Sequence, residues 1–238
     1  LETFVRWYRR NRRLFWITAS AALVVLSIGG LLLREKIQEL LTWHRIYVED
    51  FTDTDIRRFA DDWEWHSSDD YFTFVKHETV SPAWTIDHGA LRVDPSHRVH
   101  NLTFATPVAG DIRVEWEVTP LVSGRNLNCY VGGPDRTSGY TFHVGGFGKP
   151  SAVTLTRGAE IAELRIERMP GPLEVGVPHR FRMEKEGGRL RLAIDGRRVI
   201  DARDPEMVSG VGHQRFGFEI HADAGAVLFD KIAVYYHP

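Results

Sequence analysis

One long stretch without a charged residue limits the folds open to this chain more than any other feature. Residues Leu14–Leu33 are twenty consecutive positions without Asp, Glu, Lys or Arg. As an α-helix rising about 1.5 Å per residue, this run spans about 30 Å, which matches the hydrocarbon core of a bilayer. Lipid offers no water to backbone polar groups, so such a segment has to be helical. The sequence therefore predicts one transmembrane helix.

Positive charges flank this predicted helix unevenly. Residues 1–13 form a basic stub with five arginines and one acidic residue, whereas both signs are mixed directly after Leu33. The positive-inside rule places the stub in the cytoplasm and the remaining chain on the outer side of the membrane. In a Gram-negative bacterium, the helix would lie in the inner membrane and the remaining chain in the periplasm. A cleaved secretory signal is the alternative. It is disfavoured because the apolar run is too long and lacks a small-residue cleavage site.

Two further features of the N-terminal region predict contacts with partners besides the lipid bilayer. Small side chains at Thr18, Ala22 and Gly29 would let another membrane helix pack closely against the anchor. Residues 34–46 carry apolar side chains at helical spacing, which predicts an amphipathic helical extension. Other membrane-protein subunits are therefore expected partners.

Charge and cysteine content exclude several classes of function for the rest of the chain. The stub contributes +4 to an overall net charge of −2, so the chain beyond it carries −6, which argues against nucleic-acid binding. The single cysteine, Cys129, permits no intramolecular disulfide and no cysteine-based metal site. It lies in an apolar run, which indicates a buried thiol, with an intermolecular disulfide or lipid link as the alternative. His97 and His100 lack companion ligands, so no metal or cofactor is predicted.

Residues 47–238 read as many short strands separated by turns. Arg189–Ile194 alternates polar and apolar residues, as a half-buried antiparallel strand does. Turn sequences rich in Gly and Asp separate such runs, and these residues readily adopt the positive φ of tight hairpins. They are Asp87-His88-Gly89, Glu186-Gly187-Gly188 and Asp195-Gly196. The pattern predicts an antiparallel β-sandwich with almost no helix.

Five segments of this region share a recognisable order and spacing of core and turn residues: Trp84–Val93, Gly110–Glu115, His179–Val199, Gly217–Glu219 and Phe229–Val234. They resemble the concanavalin A-like jelly rolls, the group that holds laminin-G-like lectins and glucanases. The resemblance extends over roughly residues 47–236, and its order and spacing are similar to the bacterial branch labelled 3-keto-disaccharide hydrolase. It implies a mainly β fold, an antiparallel jelly-roll of two curved sheets, often with a carbohydrate site on the concave face.

The glucanases of this group use paired carboxylates on one strand, which act as nucleophile and acid about 5 Å apart. The nearest candidates here are Asp111, Glu115 and Glu117. Glu115 and Glu117 share a strand face, but Trp116 replaces the central Asp of the motif and the spacing differs. The favoured interpretation is a solvated outer face opposite the apolar residues of the same strand. No catalytic residue is therefore predicted.

A ligand face is the second functional hypothesis. In sugar-binding relatives, Asn side chains read hydroxyl groups and aromatic rings stack on a sugar ring. The alternative for the matching residues is ordinary inward packing and loop structure. The candidates are Asn126, Asn128, Tyr130, Arg136, Tyr140 and His143. The loop Gly145–Gly148 precedes no Lys-Ser/Thr and opens no helix, so a phosphate site is not predicted.

Three functions remain open. The preferred hypothesis is a non-enzymatic accessory or scaffold subunit of a larger bacterial membrane complex, with a photosynthetic reaction-centre–antenna assembly as the specific suggestion. A membrane-tethered carbohydrate-binding domain and a glycoside hydrolase-like enzyme are the alternatives. The first depends on the anchor, the second on the ligand face and the third on the carboxylates.

Overall fold

The computed structural model describes residues 43–53, 55–68, 75–77, 83–95, 99–122, 126–133, 137–158 and 162–237, with Asn11, Ser20 and Arg34 as isolated positions. Within these ranges, no helix is long and apolar enough to cross a membrane. The predicted anchor at 14–33, with its packing residues Thr18, Ala22 and Gly29, lies outside the described residues apart from Ser20. The chain divides into two compact units, Leu1–His44 and Arg45–Pro238.

The second unit is built almost entirely of strands. Its described residues contain one α-helix, α1 (Ile56–Ala60), and a single 3-10 turn at Ala222–Ala224. The strands, in chain order, are β1 (His44–Glu49), β2 (Trp63–Ser68), β3 (Val75–His77), β4 (Trp84–Asp87), β5 (Ala90–Val93), β6 (Val99–Phe104), β7 (Asp111–Pro120), β8 (Leu127–Val131), β9 (Tyr140–Val144), β10 (Ala152–Arg157), β11 (Ala162–Arg168), β12 (His179–Glu186), β13 (Arg189–Ile194), β14 (Arg197–Arg203), β15 (Phe216–Ile220) and β16 (Val227–His237).

These strands form two antiparallel sheets of eight. The first has the order β14-β13-β12-β7-β16-β5-β4, and β1 also pairs with β16. The second has the order β11-β10-β9-β8-β15-β6-β2-β3. Some neighbouring strands in each sheet come from distant parts of the sequence, such as β7 beside β16 and β6 beside β15. This crossing connectivity confirms the predicted antiparallel β-sandwich.

The predicted hairpin turns form as expected. Each of the three joins two strands through two residues with positive φ, the geometry that matches the twist of the flanking strands. His88 and Gly89 have φ of 51° and 77°, and Gly187 and Gly188 have 51° and 82°. Asp195 and Gly196 close the β13–β14 hairpin with 51° and 75°.

The core lies between the two sheets, where alternate residues of facing strands meet. Trp116 of the first sheet contacts Phe218 of the second with ring centroids 4.9 Å apart. Phe218 also contacts Phe229 at 5.2 Å, and Trp65 contacts Trp84 at 5.3 Å. Such ring pairs bury large apolar areas and add to the stability of the sandwich.

The N-terminal edge of the sandwich differs from the sequence-based expectation. β1 begins at His44, so the predicted helical extension over 34–46 does not continue to its end. The polar, acidic and aromatic stretch Thr52–Asp70 predicts a loop or a short helix around Ile56–Phe59, with Trp63 and Trp65 pointing inward. The structure confirms the helix and both inward positions, but Trp63–Ser68 forms strand β2. Both indoles point into the core from alternate positions, and that spacing is the strand signal hidden among polar residues.

Candidate functional site on the second sheet

The second sheet presents an unusual outward face, which we call the polar face. Strand alternation turns its apolar side chains toward the core and its polar ones away from it. Most of these polar side chains are nevertheless buried, with only Glu64 and His66 half-buried. The face consists of Glu64, His66, Asn101, Thr103, Asn128, Tyr130, Thr141, His143, Thr154, Thr156, Glu219 and His221.

Hydrogen-bonding groups of the polar face line up straight across the sheet. Asn128 of β8 pairs in register with Glu219 of β15, which pairs with Asn101 of β6. The row continues through His66 on one side and His143 on the other. Because directly opposed residues have Cβ atoms about 4.5–5.5 Å apart, these five side chains form one continuous polar strip.

Glu219 is the centre of this row. Its side chain is 0% exposed, and a carboxylate so deeply buried needs hydrogen-bond partners to be tolerated. Asn128 Nδ2 donates to Glu219 Oε1 at 2.9 Å, and His221 Nε2 lies 2.5 Å from the same oxygen. Asn128 Nδ2 also lies 3.1 Å from His221 Nε2. The carboxylate, amide and imidazole therefore form one compact cluster.

Two amide oxygens on either side of Glu219 are buried without a partner. Asn101 Oδ1 and Asn128 Oδ1 accept no hydrogen bond from the described part of the chain. An unsatisfied buried acceptor costs about 1–3 kcal/mol, so two of them in one row call for an explanation.

The neighbouring row shows how closely the face is packed. Tyr130 pairs with Gly217, which pairs with Thr103 on the next strand. The phenol oxygen of Tyr130 lies 2.5 Å from Thr103 Oγ1, across the position of Gly217. A Cβ at Gly217 would overlap that phenol oxygen. Glycine is therefore required for Tyr130 to lie flat on the sheet.

The predicted ligand residues fall into three groups. Asn128, Tyr130 and His143 lie on the polar face, and Asn126 lies beside it, donating to Asp223 Oδ2 at 2.6 Å. Tyr140 does not join them, because strand alternation turns its ring into the core. Arg136 lies outside the described residues.

Tyr140 instead has a structural role at the end of its strand. Its hydroxyl donates to Asp204 Oδ2 at 2.7 Å and accepts from the Val208 N–H at 3.0 Å. Burial, together with the hydrogen bond to Asp204, raises the pKa of Tyr140 to about 12. The phenol is therefore a neutral link between β9 and the segment after β14.

The candidate carboxylates of the first sheet lie on its outward side, as the alternation predicts. We call this surface the ionic face, and its carboxylates are matched by cations. Glu115 pairs with Arg182 at 2.9 Å, and Glu117 pairs with Arg180 at 2.9 Å and Lys231 at 3.0 Å. The ionic face consists of Arg113, Glu115, Glu117, Arg180, Arg182, Glu184, Arg191 and Lys231.

The electrostatics of Glu117 do not suit a general acid. Partial burial raises its pKa, but hydrogen bonds from Lys231 and Arg180 outweigh that effect and leave the pKa below its ordinary value. A general acid at neutral pH needs a raised pKa. The ion-paired outer face is therefore the better interpretation of Glu115 and Glu117.

The remaining sequence candidates are also placed by the structure. Cys129 is buried in the core, and burial raises the pKa of its thiol, as expected for a small apolar residue. His100 is buried in β6, and His97 lies outside the described residues. Among the residues that the structure describes, no group of three or more His, Cys, Asp or Glu side chains is arranged to hold a metal ion.

Sequence reasoning missed the three residues that complete the site, Glu219, His221 and Asn101. A usable signal was present for Glu219, because it interrupts the apolar strand Phe216–Ile220 at a position where alternation points away from the core. A charged residue in such a strand is rarely buried without partners. The row itself could not be predicted from the sequence, because it depends on pairing between strands that are far apart in the chain. Asn128 and Glu219, for example, are separated by 91 residues.

Comparison with known proteins gives the fold. No protein-family model matches the sequence, and no curated protein matches it. Several solved structures are similar in fold at low sequence identity, and three of them illustrate the range.

A galectin-like-fold protein of unknown function from Bacillus subtilis superposes with a TM-score of 0.61 at 12% identity, over 82% of this chain and 97% of that one. An endo-β-1,3-glucanase from Pyrococcus furiosus gives 0.59 at 11% identity, over 82% and 95%. The metal-free carbohydrate recognition domain of Emp46p gives 0.54 at 12%, over 81% and 95%. These likenesses support the galectin- and concanavalin-like jelly-roll fold.

Proposed function

We propose that the polar face is a carbohydrate-binding site centred on Glu219. The observation that carries this proposal is the pair of unpaired amide oxygens, Asn101 Oδ1 and Asn128 Oδ1, on either side of the carboxylate. A sheet face that only had to be stable would gain by replacing Asn101 with an apolar residue of similar shape. Retaining both acceptors is explained if their hydrogen bonds are completed by a bound molecule.

The chemistry of the face fits a neutral sugar. Asn side chains accept from and donate to hydroxyl groups, and a carboxylate accepts from two adjacent hydroxyls. Glu219 would repel a sulfated or uronic-acid ligand in the same position. Two of the structurally similar proteins, the glucanase and the Emp46p domain, are carbohydrate-active by their descriptions.

Binding rather than hydrolysis is the better proposal. Glycoside hydrolysis commonly uses two carboxyl groups flanking the scissile bond. On four neighbouring strands of the polar face, β8, β15, β6 and β2, the carboxylates are Glu219 and Glu64. Glu64 forms an ion pair with Arg215 at 2.7 Å, so it is not a free second carboxyl group for hydrolysis beside Glu219.

The test is calorimetric titration of the full chain with laminarihexaose, cellohexaose and a hyaluronan hexasaccharide. Asn101→Val should weaken binding of the neutral oligosaccharides roughly 2- to 10-fold, because one hydrogen bond is lost. Glu219→Gln should weaken it roughly 10- to 100-fold, since bonds to a charged acceptor are stronger. Glu115→Gln on the ionic face is the matched control and should bind as the unchanged chain does.

Stability separates this proposal from a structural role for Asn101. Asn101→Val removes an unpaired buried acceptor and should leave the free energy of unfolding equal or higher. Absence of binding to both neutral oligosaccharides by the unchanged chain would overturn the proposal. So would full binding by Glu219→Gln in a folded protein. Product formation from laminarihexaose would favour the enzyme alternative.

We also propose that this domain acts at a membrane as part of a larger assembly. The support is the uncharged run Leu14–Leu33 behind a basic stub. No observation on the described residues favours a photosynthetic assembly in particular. Gentle detergent extraction followed by a native gel should show co-migrating subunits, and a lone monomer, or recovery without detergent, would overturn the proposal.

A further inference from the structure

One exposed aromatic ring lies at the end of the polar row. Phe147 is 50% exposed, and among the described residues no other Phe, Tyr or Trp side chain is exposed. The remaining rings of these three types are buried or half-buried, since burial of a ring is strongly favourable. An isolated exposed ring is ordinary by itself, so its position and its backbone decide whether it has a function.

The backbone of Phe147 adopts a conformation that disfavours a bulky residue. Its φ is +53°, in the left-handed region that glycine occupies readily and phenylalanine rarely. The flanking glycines Gly145 and Gly148 have φ of 73° and 68°. Glycine at position 147 would relieve the strain, so the ring is retained at a cost to stability. Strained backbone at an exposed side chain points toward a function for that side chain.

The loop is held firmly against the sheet. The Gly145 N–H donates to the Ala152 carbonyl at 2.9 Å, and the Lys149 N–H donates to the Gly146 carbonyl at 3.0 Å. A Cβ at Gly146 would lie 2.6 Å from Asn126 Oδ1 and 3.1 Å from His143 Cβ. A side chain at position 146 would have to displace Asn126 or His143. The backbone on either side of Phe147 is therefore held by hydrogen bonds and close packing.

The ring contacts the polar row directly. Its centroid lies 4.8 Å from that of the His143 imidazole, at an interplanar angle of 56°. His143 is itself held by a hydrogen bond between Nε2 and Thr156 Oγ1 at 3.0 Å, and it pairs in register with Asn128. The exposed ring thus adjoins the strip of hydrogen-bonding groups that runs to Glu219.

We infer that Phe147 is a stacking platform that selects neutral pyranose sugars presenting an apolar C–H face. The inference rests on the proposed carbohydrate site and adds its specificity element. Polar groups along the row read hydroxyls, while the ring covers the hydrophobic face of the adjacent sugar unit. Because the ring of Phe147 and the hydrogen-bonding groups near Glu219 lie at different places along the row, the site suits an oligosaccharide better than a single sugar.

The experiment titrates laminarihexaose into the full chain and four variants at position 147. Phe147→Ala and Phe147→Leu should weaken binding roughly 3- to 10-fold, because neither offers a π face. Phe147→Trp should bind equally or more tightly. Phe147→Gly should bind as weakly as Phe147→Ala while its unfolding midpoint is equal to or above that of the unchanged chain, since glycine accepts the positive φ.

The outcomes separate this inference from the proposed function. If the unchanged chain and Phe147→Ala bind laminarihexaose equally while Glu219→Gln does not, the platform is overturned and the site stands. If Phe147→Leu binds as the unchanged chain does, simple apolar contact replaces stacking and the platform is overturned. If the unchanged chain does not bind laminarihexaose, the inference that Phe147 stacks on this sugar is overturned. Binding of cellohexaose then decides separately whether the proposed carbohydrate site exists.

Discussion

The outward faces of the two sheets arise from the same strand alternation, but their polar side chains are paired in different ways. On the ionic face, cations and carboxylates pair with each other, as Glu184 does with Arg113 at 2.9 Å and with Arg191 at 3.2 Å. On the polar face, amides, hydroxyls and imidazoles surround a single central carboxyl group, that of Glu219. Each charged side chain of the first face has an ion-pair partner on that face, whereas the second face keeps two amide oxygens unpaired.

This difference is the reason for placing the proposed site on the second sheet. Ion pairs at a partly exposed surface contribute little net stability, but they do satisfy the charges that form them. A ligand would have to break those pairs before it could use Glu115 or Glu117. Asn101 and Asn128 need no such exchange, because their oxygens are already unpaired. The site is therefore expected on the sheet with fewer charges.

The largest expected difference between the faces is in steric tolerance. Gly217→Ala would place a Cβ in overlap with the Leu102 carbonyl oxygen and the Tyr130 hydroxyl. Because backbone has to move, we expect a loss of about 2–3 kcal/mol or more in the free energy of unfolding, measured by chemical denaturation. Ala193→Ser on the opposite sheet is a control of similar added volume at a half-buried position, expected to change stability by less than about 0.5 kcal/mol.

Tyr130 provides a second check on the same contact. Tyr130→Phe removes the hydroxyl from the space that a methyl group at position 217 would need. Part of the loss caused by Gly217→Ala should therefore be recovered in the double variant. Additive effects of the two substitutions would contradict direct contact between these positions.

Much of the sandwich was predictable because its signals are local. The turn at Asp195-Gly196 requires two positive φ values, and the sequence supplies residues that accept them. The alternation in Arg189–Ile194 likewise fixes which side chains face the core. Strand β2 was missed because two tryptophans among acidic residues give a weak pattern over a short length.

The site was only partly predictable, for a physical reason. Asn128, Tyr130 and His143 lie within two consecutive strands, so a local ligand hypothesis could include them. Asn101 and Glu219 join the row through pairing between β6, β15 and β8, and register between distant strands is set by the whole core. Tyr140 was misplaced because a single position along a strand reverses the face on which a side chain lies.

A medium effect should follow from removing the amide that holds Glu219. Asn128→Ala deletes the Nδ2 donor at 2.9 Å and leaves a buried carboxylate with less compensation. We expect a loss of about 1–3 kcal/mol in the free energy of unfolding. Arg182→Ala, which breaks the pair with Glu115, should cost only about 0–1 kcal/mol. Equal losses of unfolding free energy in Asn128→Ala and Arg182→Ala would contradict the claim that polar contacts matter more on the polar face than on the ionic face.

The smallest effect should appear in the pH dependence of the ionic face. Partial burial raises the pKa of Glu117, but Lys231 and Arg180 more than offset this, so its folded pKa lies below the ordinary 4.5. A group with a lowered folded pKa stabilises the fold above its unfolded pKa, and that contribution is lost as pH falls through the folded value. Glu117→Gln should therefore be less stable by about 0.5–1 kcal/mol at neutral pH. Denaturation curves at decreasing pH should bring the two proteins together as the pH falls from the ordinary 4.5 through the lower folded pKa of Glu117. A gap that persisted in acid would mean that Glu117 stabilises the sheet by packing rather than by its charge.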